Sequence, residues 1–300
     1  VAETPELTLA KQMFLDAFPG LEDGSPVTVE DLRRYDDDLW NSFLPDDAIT
    51  ESVDAGGVPA LWTGTEGASP DKVLIWLHGG GYSIGSAAGR RALAAGISRQ
   101  AGCRVLLPDY RLAPENRFPA AVEDAVAVLR WTTELVDPSS IVIGGDSAGG
   151  GLAVAALLSS RDEGLAPPAA AVLLSPLADF TASGESHRIN KELDPFVTAE
   201  MLAGLGEAYF GDSDRRNPLI SPVFGDIAGL PPLQILVGTA EALLDDSRAL
   251  ARSAVNAGID VDVRFFDGMF HLWPMFASIL PEGQRAIDAM SAFVRDRIET

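Results

Sequence analysis

Short unbroken apolar runs alternate along this chain with longer segments of helical period. KVLIWLH (72–78) has no polar face, as in a strand buried on both sides. A helix is predicted at about 86–101, then a strand at CRVLLPD (103–109) and a helix at AAVEDAVAVLRWTTEL (120–135). SIVIGGD (140–146) reads as strand, AGGGLAVAALLSSRDE (148–163) as helix and AAAVLLSP (169–176) as strand. Further on come a strand at LQILVG (233–238), a helix at 245–257, a strand at DVDVRFF (260–266) and a terminal helix at 282–299. Such alternation predicts a mostly parallel sheet with helices on both faces. Ahead of it, ITESVDA (49–55) and VPALWTG (58–64) alternate around Gly56-Gly57 and predict a hairpin. The stretch to about Leu44 reads as helical, with Leu9, Met13, Phe14, Ala17, Leu39 and Phe43 on its apolar positions and breaks at PG (19–20) and DGSP (23–26). Residues 177–230 hold no clear buried strand but carry a helical segment, TAEMLAGLGEAYF (198–210). An insertion this long between sheet strands predicts a cap. The expected division is therefore 1–45 as the N-terminal part of a cap, 46–176 and 231–300 as the body, and 177–230 as the cap insertion.

One strand-to-helix junction carries chemistry. IVIGGDSAGGG (141–151) places Ser147 in a G-x-S-x-G frame, where flanking glycines let strand and helix approach around a strained turn. A serine hydroxyl is a poor nucleophile and needs a base. The chain has three histidines. His78 closes a strand before three glycines, His187 lies in the insertion and is assigned to the cap, and His271 follows the last predicted strand. The order nucleophile, acid, base along such a fold selects His271. The acid should leave the loop after LQILVG, where GTAEALLDD offers Glu241, Asp245 and Asp246. Asp245 and Asp246 are placed to start the next helix, where a carboxylate favours the positive end of the dipole. Glu241 comes first and is the expected partner of the base. In LHGGGYSIG (77–85), glycines between a strand and a helix can turn backbone N–H groups inward. The expected oxyanion donors are Gly80, Gly81 and Ala148. A phosphate loop would need a following Lys-Ser/Thr, which this segment lacks. Phe14, Phe18, Phe180, Met201 and Leu205 are expected to line an acyl or alcohol pocket, with Tyr82 and Trp273 as further substrate contacts.

Composition narrows the partners. The chain has 300 residues, 47% of them hydrophobic, enough for one large core with a small lid. Its 22 basic and 44 acidic residues give a net charge of −22, which argues against nucleic acid and anionic membrane surfaces as partners. Cys103 is the single cysteine, so no intrachain disulfide can form; it precedes apolar RVLL and reads as a buried structural thiol. No His/Cys cluster has zinc-ligand spacing, and no metal or organic cofactor is expected. The N-terminal stretch carries acids where a signal peptide has its basic start, and the most apolar run, near 152–158, is too short to span a bilayer. A cytoplasmic protein is the expectation.

HGGGY (78–82), DYRLAPE (109–115), GDSAGG (145–150), VGTAEALLDD (237–246) and GMFHLW (268–273) occur together and in order. With them the chain, over about residues 50–300, resembles the hormone-sensitive-lipase-like carboxylesterases, the bacterial family IV esterases of the α/β-hydrolase fold. The resemblance implies an eight-stranded, mostly parallel sheet with a helical cap. It implies a triad of Ser147, an acid and His271, an oxyanion hole at Gly80, Gly81 and Ala148, and short- to medium-chain ester substrates. Asp109, Arg111 and Glu115 would support the oxyanion loop, and a homodimer is a family expectation. The family commonly has aspartate where this chain has Glu241. A branch of lactone hydrolases makes a cyclic ester the alternative substrate. Two other readings are a non-catalytic small-molecule-binding module, against which the presence of His271 counts, and an amidase or peptidase on the same scaffold.

Overall fold

The computed structural model describes residues 3–19, 27–194 and 196–298; the expected breaks at Gly20 and DGSP lie outside the described residues. Among the described residues one sheet holds eight strands: β1 (Ile49–Asp54), β2 (Pro59–Gly64), β3 (Ser69–Leu77), β4 (Cys103–Pro108), β5 (Ile141–Asp146), β6 (Ala170–Leu174), β7 (Leu233–Gly238) and β8 (Val261–Phe266). Their order is β1-β2-β4-β3-β5-β6-β7-β8. β2 runs antiparallel to both β1 and β4, and every other pairing is parallel. The apolar runs explain the centre: Val73–Leu77 and all of β5, β6 and β7 are buried. The edges are more polar and more open, β1 at one side and β8 at the other, where Phe265 is half exposed. Cys103 is buried at the start of β4, and burial pushes its thiol up to about 12, as a structural thiol requires.

Nine helices are described: α1 (Pro5–Ala17), α2 (Val29–Asn41), α3 (Arg91–Ala101), α4 (Ala120–Leu135), α5 (Ala148–Asp162), α6 (Ser186–Ile189), α7 (Ala199–Phe210), α8 (Leu244–Asn256) and α9 (Pro281–Ile298). Local chemistry starts several of them. Thr4 caps α1 through the Leu7 amide, with Pro5 where a missing N–H costs nothing. Thr28 and Asp31 form a reciprocal capping box on α2. α3 begins later than its apolar period predicts, because Gly85 turns the chain at φ +84° and a 3-10 turn, Ala88–Arg90, intervenes. α3 packs beside α9 and α4 beside α5.

The strand order places the site. β4 lies on one side of β3 and β5 on the other, so the chain reverses direction across β3. A crevice opens at the carboxyl ends of strands flanking such a reversal. Leu77 pairs with Gly145 at that point, so the glycine loop after β3 and Ser147 after β5 emerge side by side. Loops from the ends of β7 and β8 reach the same edge.

Candidate active site

Ser147 sits between β5 and α5 with φ +53° and ψ −121°, a strained backbone for a residue with a Cβ. Its neighbours must be glycine. A Cβ on Gly149 would lie 2.0 Å from the Leu77 carbonyl oxygen, and one on Gly145 would lie 2.4 Å from the Gly149 carbonyl carbon. The turn is tied to the end of β6: the Ser147 amide donates to the Leu174 carbonyl at 2.9 Å, and the Leu177 amide donates to the Ser147 carbonyl at 2.9 Å. Ser147 thus stands at the N-terminal end of α5, where the helix dipole favours negative charge.

His271 Nδ1 is 2.9 Å from Glu241 Oε2, and both side chains are buried. Glu241 Oε1 accepts hydrogen bonds from Ser175 Oγ at 2.7 Å and from the Gly238 amide at 2.6 Å. A carboxylate can only accept, so Nδ1 carries the proton of the neutral ring and Nε2 is left as the basic nitrogen. Burial works to lower the His271 pKa, but the hydrogen bond and charge of Glu241, with the charges of Asp194 and Asp146, outweigh it and raise the pKa above the ordinary histidine value. Gly238 keeps the two loops together, since a Cβ there would lie 2.1 Å from the Met269 carbonyl oxygen.

The glycine loop adopts positive φ at Gly80 (+115°) and Gly81 (+59°), and a Cβ on Gly80 would lie 2.2 Å from the Ile84 carbonyl oxygen. Among the described residues neither the Gly80 nor the Gly81 amide has a hydrogen-bond acceptor within the chain. Ala148 opens α5 directly after Ser147. Ser147, His271, Gly80 and Gly81 all border one cavity of about 380 Å³, whose walls are otherwise mostly apolar side chains. Phe14 and Phe18 come from α1 and its end, Leu32 from α2, and Met201 and Leu205 from α7.

The fold agrees with that of similar proteins. Residues 74–275 match the family model described as alpha/beta hydrolase fold. A crystal structure of an esterase from the bacterial hormone-sensitive lipase family superposes with a TM-score of 0.95 at 46% identity, covering 99% of this chain and 100% of that one. The chain belongs to the bacterial hormone-sensitive-lipase family of carboxylesterases. An acetyl-hydrolase of Streptomyces hygroscopicus is 43% identical over 252 residues, 84% of this chain and 83% of its own length. An esterase of Acinetobacter venetianus is 33% identical over 228 residues, 75% of each.

Three expected substrate contacts of this carboxylesterase do not border the cavity. The Tyr82 ring stacks on Tyr209 with centroids 3.9 Å apart, and Phe180 packs edge-on against Phe210 at 5.1 Å, so both belong to the packing beneath α7. Leu272, at φ +62°, turns the chain after His271 and sends Trp273 into the core against Phe266 and the start of α9. His187 is also outside the cavity, paired with Asp246 at 3.2 Å. The supports of the oxyanion loop differ in part from expectation as well. Asp109 accepts the Ala87 amide at 2.7 Å and Glu115 binds Arg33, but Arg111 turns away to Asp124 and Glu123 at the start of α4.

The candidate site rests on residues that the motifs alone did not single out. Asp146 accepts from Trp76 Nε1 and the Gly79 amide, each at 2.9 Å, and faces Arg90 at 3.1 Å. Arg90, fully buried, reaches on to Asp36 at 3.2 Å, which ties α2 to the core of the site. The only signal for this chain of charges was the place of Asp146 inside GDSAGG. His78 supports the loop without chemistry: its ring stacks on Tyr110, and burial together with Arg90 lowers its pKa to about 4, so it is neutral at physiological pH. Tyr110 Oη donates to the His78 carbonyl at 2.7 Å.

Proposed function

We propose that this carboxylesterase hydrolyses short- to medium-chain esters at Ser147 through an acyl-enzyme. Ser147 Oγ attacks the ester carbonyl while His271 Nε2 takes its proton. The amides of Gly80, Gly81 and Ala148 hold the negative charge that forms on the carbonyl oxygen, and Glu241 holds the imidazolium. Collapse of the intermediate expels the alkoxide, which leaves as alcohol with the proton from His271. Water, deprotonated by the same nitrogen, then attacks the acyl-serine, and the second collapse releases the carboxylic acid and restores the Ser147 hydroxyl. The substrate's apolar part lies in the cavity under α1, α2 and α7, which we read as parts of one cap formed by 1–45 and 177–230. Among the described residues no helix is long and apolar enough to cross a membrane. The proposed setting is cytoplasmic, supported by the single cysteine, which calls for no oxidising compartment.

The observation that carries this reading is His271, hydrogen-bonded to Glu241 behind it, bordering the same apolar cavity as Ser147 and the glycine loop. A panel of p-nitrophenyl esters of graded acyl length, with lactones alongside, tests it. The expected result is fastest turnover on short or medium acyl chains and a loss of about 10⁴-fold or more in Ser147→Ala. Retained turnover in Ser147→Ala, or hydrolysis confined to lactones, contradicts it.

A further inference from the structure

The side chains of Ser186, Asn190 and Asp194 clasp the loop that carries Glu241. Ser186 Oγ donates to the Ala242 carbonyl at 2.6 Å. Asn190 Nδ2 donates to the carbonyls of Glu241 at 2.7 Å and Thr239 at 3.1 Å. Asp194 Oδ2 accepts the Ala242 amide at 2.9 Å, and its Oδ1 accepts the Phe196 amide at 3.0 Å. Hydroxyl and amide side chains suffice for such a clasp, so the ionisable group is the member that asks for a reason. Asp194 is only 2% exposed, and among the described residues no lysine or arginine pairs with it. A carboxylate buried without a cationic partner is costly. The charges that bear on it are those of His271, which is favourable, and Glu241, which is not.

We propose that Asp194 is a positioning residue for ester hydrolysis, holding the Glu241 loop through the Ala242 amide and placing a second negative charge behind the His271 imidazolium. The proposal rests on the reading of Ser147, Glu241 and His271 given above. Its reason is the moment of catalysis: when His271 takes the serine proton, a buried cation appears, and two carboxylates stabilise it where one would leave more of the desolvation cost. Phe196, whose amide is held by the same Asp194, packs T-shaped against His271 with ring centroids 6.3 Å apart. The charges around this pair are few in kind. The charge of Asp146, at the end of β5, also bears on His271, while Asp245, Asp246, Asp179 and His187 interact with one another around the start of α8. Burial pushes Asp194 up to about 6, beside a histidine whose own pKa is raised, so the two titrate as a coupled pair.

The test compares wild type, Asp194→Asn, Asp194→Glu and Ser147→Ala by kcat/KM against pH on p-nitrophenyl acetate. Removing a nearby negative charge lowers the His271 pKa, so the acid limb of Asp194→Asn moves to lower pH by at least about half a unit. Its kcat falls about ten- to hundredfold with little change in KM, and Asp194→Glu restores the position of the limb. A limb that stays in place or moves upward, or a loss confined to KM, overturns the proposal. If Asp194→Asn does not fold, Asp194→Ser carries the same readout. Independently of any variant, NMR titration of the wild-type histidine rings must place His271 above an ordinary histidine, and a value at or below it also overturns the proposal. Retained activity in Ser147→Ala would instead overturn the nucleophile assignment.

Discussion

Both carboxylate oxygens of Glu241 are engaged. One oxygen is held by Ser175 and the Gly238 amide, which leaves the other to hold His271. Glu241→Gln keeps the shape but presents an amide group to Nδ1, which permits the wrong tautomer. The expected loss is about 10³–10⁴-fold in kcat with KM nearly unchanged, whereas Asp245→Asn, at a partly exposed carboxylate bound to Ser186 and Arg248, should stay within about threefold. Steady-state kinetics on one p-nitrophenyl ester decides the ranking, and an equal loss in both would move the acid. The same wild-type data give the pH profile: the proposed mechanism needs His271 as the neutral ring and its pKa is raised, so the acid limb of kcat/KM should have its midpoint above 6.5. The pairing of Glu241 with His271 was legible because Glu241 is the first acid after a strand end. Asp194 was not, because its meaning depends on Ala242, 48 residues away, and nothing local marks that contact. Trp273 misled for the opposite reason: adjacency to His271 in sequence says nothing about side once Leu272 turns the backbone.

Between elements, the most informative contact is that of α2 with the glycine loop after β3. Arg33 Nε donates to the Ser83 carbonyl at 2.8 Å, while its other nitrogens reach the Ala113 carbonyl and both oxygens of Glu115. One guanidinium therefore ties an N-terminal helix, the glycine loop and the segment after β4 together. Arg33→Ala should lower kcat/KM about tenfold by letting the loop amides drift, yet cost only about 1 kcal/mol or less in thermal stability, because Glu115 is half exposed and the pair is screened by water. Melting and kinetics on the same sample separate these effects; a large stability loss with normal kcat/KM would show that the contact serves folding alone. Strands and helices themselves were readable from period and run length. α4 and the β1–β2 hairpin fall where the pattern puts them. Docking of α2 was not, since Arg33 and Ser83 are 50 residues apart and an arginine on a helix has no address in the pattern.

At the scale of the molecule, the reversal of strand order across β3 explains why pieces far apart in the chain meet. The glycine loop, Ser147, Glu241 and His271 follow the carboxyl ends of β3, β5, β7 and β8 respectively, and the parallel register brings those ends to one edge. Alternation of strand and helix made the sheet legible, and the order of the motifs made the edge legible. The chain of charges from Asp36 through Arg90 to Asp146 was hidden, because its members lie on α2, beside α3 and at the end of β5. The proposed chemistry requires one covalent bond, that between Ser147 Oγ and the acyl group of the substrate. Mass spectrometry of the protein after treatment with a fluorophosphonate reads that site directly. The expected result is one adduct per chain, mapped to the peptide containing Ser147, formed in step with loss of esterase activity. An adduct on another residue, or full activity in protein fully labelled at Ser147, would contradict it.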